Sequence, residues 1–163
     1  MLSNDNLKDP YIKLFSIVFC FKYFVRKLAY NIPPSSIKNF FLKLSGIEIE
    51  TDVFVGDRVL FIDGYTKNKT IKLKKSSVVS PGCILISVSW PYKSDIVLHN
   101  NKVTKEGSVL IEENAWIGAG SIVLPNSTLG KRSILGAGST LTKKTKDNEI
   151  WYGVPATFKR KLC

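Results

Sequence analysis

From Ile111 onward an aliphatic residue returns at every sixth position: Ile111, Ile117, Val123, Leu129, Leu135 and Leu141. Four places after each stands a small residue: Ala115, Ser121, Ser127, Ser133, Ser139 and Thr145. Two coupled positions that recur this regularly mark a repeat architecture. A period of six suits a coil of triangular cross-section. Each flat side is a short parallel strand, the aliphatic residue points inward, and the tight corner takes a small side chain. Three hexads complete one coil, so residues eighteen apart stack. The pattern therefore sets Ile111 under Leu129 and Ile117 under Leu135.

The preceding stretch follows the same rule less evenly. Ile49, Val55 and Phe61 keep the six-residue step, as do Leu73, Val79 and Leu85, with Ser77, Cys83 and Ser89 at the small position. Thr66–Thr70 fits poorly and reads as a bulge. The two halves are out of phase by two residues, so a segment must be inserted between Leu85 and Ile111. Residues 90–107 carry no repeat and read as a protruding loop. Long irregular loops in compact domains are usually functional or disordered.

The chain thus divides into an N-terminal helical segment (1–46), the coiled body (47–146) and a C-terminal turn and basic tail (147–163). Within Tyr11–Tyr30, Leu14, Ile17, Val18, Phe21, Val25 and Leu28 recur at helical spacing. Lys13, Lys22, Arg26 and Lys27 fall between them. Pro33-Pro34 ends this helix. Ser35 or Ser36 can cap a second one through Ile37–Leu44, which Gly46 terminates. Two uses suit the segment: a cap over the open end of the coils, or a basic, aromatic surface that touches a membrane. Past the body, Gly153-Val154-Pro155-Ala156 makes a sharp turn, with Pro155 fixing it, and Lys159-Arg160-Lys161 follows.

Composition narrows the chemistry. In 163 residues, 24 Lys+Arg face 13 Asp+Glu, a formal charge of +11. That favours an anionic partner without choosing one. The lysines are scattered and match no nucleic-acid module, which argues against nucleic acid. Cys20, Cys83 and Cys163 fit neither a disulfide framework nor a zinc site. They suit a reducing cytoplasm. No signal peptide is evident, and Leu14–Phe21, the longest apolar run near the start, is short of the ~20 residues of a spanning helix. His99 is the sole histidine, so no three-histidine metal site can form within the chain, and no metal is expected.

Four motifs resemble one family: Trp116-Ile-Gly-Ala-Gly, Gly136-Ala-Gly-Ser, Thr142-Lys143 and Gly153-Val-Pro-Ala. Over roughly Ile47–Leu162 the chain is similar to the hexapeptide-repeat acetyltransferases, in the style of the galactoside, maltose and polysaccharide O-acetyltransferases. The resemblance implies a left-handed parallel β-helix, a homotrimer, and acetyl-CoA held in a groove between neighbouring β-helices. It carries the coenzyme contacts onto Ala119, Ala137, Thr142, Lys143 and Arg160. Small residues at the first two let backbone approach a pantetheine arm. The two cations can meet phosphate. Corner packing and a solvated basic face explain the same residues without a coenzyme. Trp116 reads as a packing residue at a corner.

Transfer of acetyl to a sugar hydroxyl needs a base, usually histidine because its pKa lies near neutral. The resemblance implies a histidine near Tyr92, but Ser87-Val-Ser-Trp-Pro-Tyr92 contains none. His99 lies in the same loop and is the candidate base. Asp95, four residues earlier, can orient it. Ser87, Ser89, Trp90 and Tyr92 are candidates for holding the acceptor. The expected function is acetyl-CoA-dependent O-acetylation of a saccharide in the cytoplasm, a surface polysaccharide or its precursor. N-acetylation of a nucleotide-linked amino sugar and a non-catalytic scaffold stay open beside it.

Overall fold

The computed structural model describes residues 10–34, 36–63, 70–89 and 105–162, with side chains from Cys20 onward. Among the described residues two helices, α1 (Pro10–Tyr30) and α2 (Ser36–Leu44), precede sixteen short strands. The repeat builds the three-faced parallel coil it predicts, the left-handed β-helix that the resemblance implies. Its first face stacks β1 (Glu48–Ile49), β4 (Ile71–Leu73), β9 (Val109–Ile111) and β12 (Thr128–Leu129). The second stacks β2 (Phe54–Val55), β5 (Val78–Val79), β10 (Trp116–Ile117) and β13 (Ile134–Leu135), then β15 (Glu149–Gly153) and β16 (Ala156–Lys161). The third stacks β3 (Leu60–Ile62), β6 (Ile84–Ile86), β11 (Ile122–Val123) and β14 (Thr140–Leu141).

Register follows the hexads. Ile111 pairs with Leu129, Ile117 with Leu135 and Val123 with Leu141, each eighteen residues on. Each is fully buried, and together they fill the prism as three columns. The step from Ile49 to Leu73 is six residues longer. The bulge expected at Thr66–Thr70 lies in this stretch, and residues 64–69 are outside the described residues. The step from Leu73 to Ile111 is longer still, since it contains the inserted loop. That loop leaves through an antiparallel stem of β7 (Val88–Ser89) and β8 (Lys105–Glu106).

The corners work differently from the expectation. The small residue does not form the turn. The turn tips are Asn114, Gly120, Asn126, Arg132 and Gly138, all at positive φ between 53° and 68°. The small residue follows each tip and points inward. There is a reason for serine over alanine. Ser121 Oγ donates to Gly136 O at 2.9 Å, Ser127 Oγ to Leu141 O at 3.2 Å and Ser133 Oγ to Lys146 O at 2.9 Å. Each hydroxyl donates to a backbone carbonyl of the coil above, so these serines bind one coil to the next.

Both ends of the prism are closed. At the first coil, α2 ends in a Schellman turn: Ile47 N donates to Leu42 O at 3.2 Å and Gly46 N to Lys43 O at 3.0 Å, with Gly46 at φ +98°. Lys38 Nζ reaches Gly56 O at 2.7 Å, and Asn39 Nδ2 reaches Val53 O at 2.7 Å. The helices therefore contact the first coil and cap it. Among the described side chains of α1, Val25 and Ala29 are buried, whereas Phe21 and Leu28 of the same apolar series are exposed. At the other end the C-terminal segment is no loose tail. β15 runs parallel to β13, with Trp151 over Leu135, and turns back through β16. Glu149 is buried there, its Oε2 accepting from Lys146 N at 3.0 Å and Trp151 Nε1 at 2.8 Å.

Candidate active site

Each coil has three seams, and chemistry-bearing residues sort onto them. The seam between the second and third faces carries Pro81-Gly82, Ala119-Gly120 and Ala137-Gly138, one above another. Gly120 N donates to Pro81 O at 3.0 Å and Gly138 N to Ala119 O at 2.9 Å, so the tips are locked to each other. Only methyl groups and hydrogens project from it over the last two coils. A Cβ placed on Gly120 or Gly138 would meet nothing within 4 Å. Positive φ explains the glycines there, and the empty space beyond them leaves a smooth ridge for an extended chain.

The seam between the third and first faces carries Thr142-Lys143-Lys144 in the fourth coil and Pro125-Asn126 one coil below. One coil lower again, the same seam releases the inserted loop. Gly107 N donates to Ser87 O at 2.9 Å, and Asn126 Nδ2 to Glu106 O at 3.1 Å, which pins the stem to the coil above. A Cβ on Gly107 would fall 1.9 Å from Asn126 Oδ1, so a larger residue there would displace the Asn126 side chain from the stem. The stem thus opens toward the seam that carries Lys143, about two strand spacings, roughly 10 Å, away.

His99, Asp95, Trp90 and Tyr92 lie outside the described residues. Ser87 and Ser89 are described. Ser87 is buried, its hydroxyl 2.7 Å from Thr70 Oγ1, and so faces the interior of this chain. Ser89 is exposed on the stem. Thr142, Lys143, Ala119 and Ala137 are all exposed. Arg160 is exposed on β16, opposite Ile150, at the top of the second face. The structure thus places the five expected coenzyme contacts on two seams and at the top of one face of the chain.

Trp116 stands in β10 and not at a corner. Its indole is half exposed and donates to Ser80 Oγ at 2.9 Å. Beside it an open groove of about 470 Å³ is lined by Asn114, Trp116, Arg132, Ile134 and Leu162. It lies on the second face, away from the loop stem. The sequence pattern did not mark it, because only Trp116 there belongs to a recognised motif. The Cys83 thiol, buried beneath Gly118 O at 3.2 Å, is pushed above its ordinary pKa by desolvation and is no nucleophile. Among the described residues no three His, Cys, Asp or Glu side chains gather as a metal site.

Residues 108–143 match the family model "Bacterial transferase hexapeptide (six repeats)". The chain is 35% identical over 113 residues to a galactoside O-acetyltransferase of Lactococcus lactis, covering 69% of this chain and 45% of that protein. It spans about half the length of the curated relatives it matches. Two solved structures share the fold. One is a galactoside acetyltransferase in complex with coenzyme A, with a TM-score of 0.63, 17% identity and coverage of 91% of this chain and 82% of that one. The other is a hexapeptide-repeat acetyltransferase of Vibrio cholerae O1 biovar eltor complexed with acetyl coenzyme A. It has a TM-score of 0.58, 16% identity and coverage of 96% and 91%.

Proposed function

Because this chain carries the hexapeptide repeat of bacterial transferases and is similar to the hexapeptide-repeat acetyltransferases, we propose that it transfers acetyl from acetyl-CoA to a saccharide hydroxyl. The observation that carries this reading is the bare ridge at Ala119-Gly120 and Ala137-Gly138. A pantetheine arm is long, thin and weakly polar, and it needs a smooth track with room above it. Lys143 and Arg160 supply cations for the phosphates.

The chemistry is a direct displacement. His99 takes the proton of the acceptor hydroxyl as its oxygen attacks the thioester carbonyl. The C–S bond then breaks, the ester forms, and the thiolate leaves as CoA after gaining a proton. Asp95 holds the imidazole tautomer. Ser89, Trp90 and Tyr92 hold the acceptor. Ser87, turned inward, supports the base of the loop. No enzyme-bound acyl group is needed, which accords with the buried Cys83.

The working form in this reading is a homotrimer. The outer row of the second face is Phe54, Val78, Trp116, Ile134 and Ile150, and that of the third is Leu60, Ile84, Ile122 and Thr140. The first face instead carries the ion pairs Glu48–Lys72 and Glu50–Lys74. Two apolar faces and one charged face favour contact between unlike faces, and head-to-tail contacts close into rings. A coenzyme lying along a seam would then meet Ala119 and Ala137 of one chain beside Thr142 and Lys143 of the next. Acetyl-CoA and a polysaccharide precursor place the reaction in the cytoplasm, at the inner membrane face when the acceptor is lipid-linked.

The test is a mass-resolved acetyl-transfer assay with acetyl-CoA and a panel of galactosides, maltosides and polysaccharide fragments. The expected product gains one acetyl group and loses it in mild base, as an ester does. A base-stable product points to an amide instead. No transfer together with no CoA-induced rise in melting temperature would remove the enzyme reading.

A further inference from the structure

We propose that the helical cap is a docking surface for an anionic lipid bilayer. The outer side of each helix carries an apolar stripe at helical spacing. On α1 it is Phe21, Phe24 and Leu28, exposed by 51, 59 and 42%. On α2 it is Ile37, Phe40 and Leu44, exposed by 61, 63 and 51%. Water contact on six large apolar side chains of one helix pair is unfavourable for a free surface, and patches of this kind mark interaction sites. The capping contacts of α2 run the other way. Lys38, Asn39 and Leu42 face the first coil, so the Ile37–Phe40–Leu44 stripe points away from the prism.

Charge selects the occupant. From Pro10 through Ile47 there is no Asp or Glu, while Lys13, Lys22, Arg26, Lys27, Lys38 and Lys43 all fall there. Arg26 and Lys22 are matched by Asp63, and Lys38 by Asp57, both acids from the first coil. Lys27 and Lys43 are exposed. A second copy laid on this face would set one acid-free cationic surface against another, at a repulsive cost. Lipid headgroups carrying negative charge complement it, and the aromatic rings suit the headgroup–acyl boundary. No helix among the described residues is long and apolar enough to cross the membrane, so the mode is surface attachment.

The experiment is flotation of the full-length protein with vesicles of phosphatidylcholine, alone or with phosphatidylglycerol. The protein should float with the mixed vesicles, stay behind with pure phosphatidylcholine, and be released by raised salt. Phe24→Ser with Phe40→Ser should lower partitioning by about tenfold or more. Lys27→Gln with Lys43→Gln should lower it about tenfold on the anionic vesicles. All four positions are exposed, so both variants should melt at the wild-type temperature. The lysine pair keeps the test sound if the serine pair does not fold. Absence from anionic vesicles at low salt, or equal partitioning of wild type and variants, overturns the assignment. A dimer in sedimentation velocity that Phe40→Ser abolishes, without vesicle binding, also overturns it and gives the face to a second copy.

Discussion

Arg26 on α1 grips Asp63 at the end of β3 with both guanidinium arms, its Nη2 lying 2.9 Å from Oδ2 and its Nη1 bonded to Oδ1. The same guanidinium donates to Ser45 O at 3.1 Å and Phe61 O at 3.1 Å. One side chain thus fastens both ends of the helical cap to the first coil. Both partners are largely shielded from water, with side chains 19 and 10% exposed. Asp63→Asn leaves the cation half-paired and should cost about 2–3 kcal/mol. A thermal melt checks this, and the helical signal in circular dichroism should fall before the β signal does.

Ile111 sits inside a column, between Leu73 and Leu129, and is wholly buried. Ile111→Ala should destabilise by about 3 kcal/mol, since the coils above and below cannot close on the gap. Ser133→Ala should cost less, about 1–2 kcal/mol. It loses the bond to Lys146 O and strands Glu149 N, which Ser133 Oγ accepts at 3.0 Å. Urea titrations of the two variants rank them.

His99→Ala should cut acetyl transfer by roughly 100-fold or more while leaving the CoA-induced thermal shift intact. The wild-type rate should fall in acid, because only a neutral imidazole accepts a proton. An undiminished rate in the variant would end the assignment of His99.

Lys143→Ala and Arg160→Ala should each weaken CoA about tenfold, through loss of a charge-assisted phosphate contact. Ala137→Trp should block the ridge without touching the core, since Ala137 is exposed. Isothermal titration with CoA reads all three. Unchanged affinity in the tryptophan variant would move the coenzyme off that seam.

Ile122→Asp puts a charge in the middle of the apolar outer row of the third face. The expected result is a monomer in sedimentation velocity, with the melting temperature of the isolated chain little changed. A substitution on the charged first face, Lys72→Gln, should leave the oligomer intact.

The body of the fold was legible because burial in it is periodic. Ile111, Ile117 and Val123 can point only inward, and a constant step dictates which residue each one covers. The corner tips were not legible. A positive φ is met at Asn114 and Gly120, which favour it, and equally at Arg132 and Arg58, which do not. Residue type at the tip therefore carries little signal, and the inward serine beside it was mistaken for the turn. The exposed stripe of α1 was not legible for a related reason. Phe21 and Leu28 share helical spacing with Val25, and spacing alone cannot say which edge of a wide apolar arc meets the core. The end of the prism was hidden because Trp151 and Glu149 close it by a hydrogen bond and a ring, with no hexad to announce them. For the site, the motifs picked out Ala119, Ala137, Thr142 and Lys143, which the fold sets on two of the seams. The loop between 90 and 104 has no periodicity to read, and its anchor, Gly107 against Asn126, emerges only from the stacking.

The stem at Val88–Ser89 and Lys105–Glu106 has a bearing on how such a protein changes over time. Each coil answers only to the ones directly above and below, so extra chain expelled at a vertex leaves every interior stack in register. In the acetyl-transfer reading proposed above, acceptor preference can therefore be rewritten in that excursion, by length as freely as by composition, while the grip on the acyl carrier is inherited untouched.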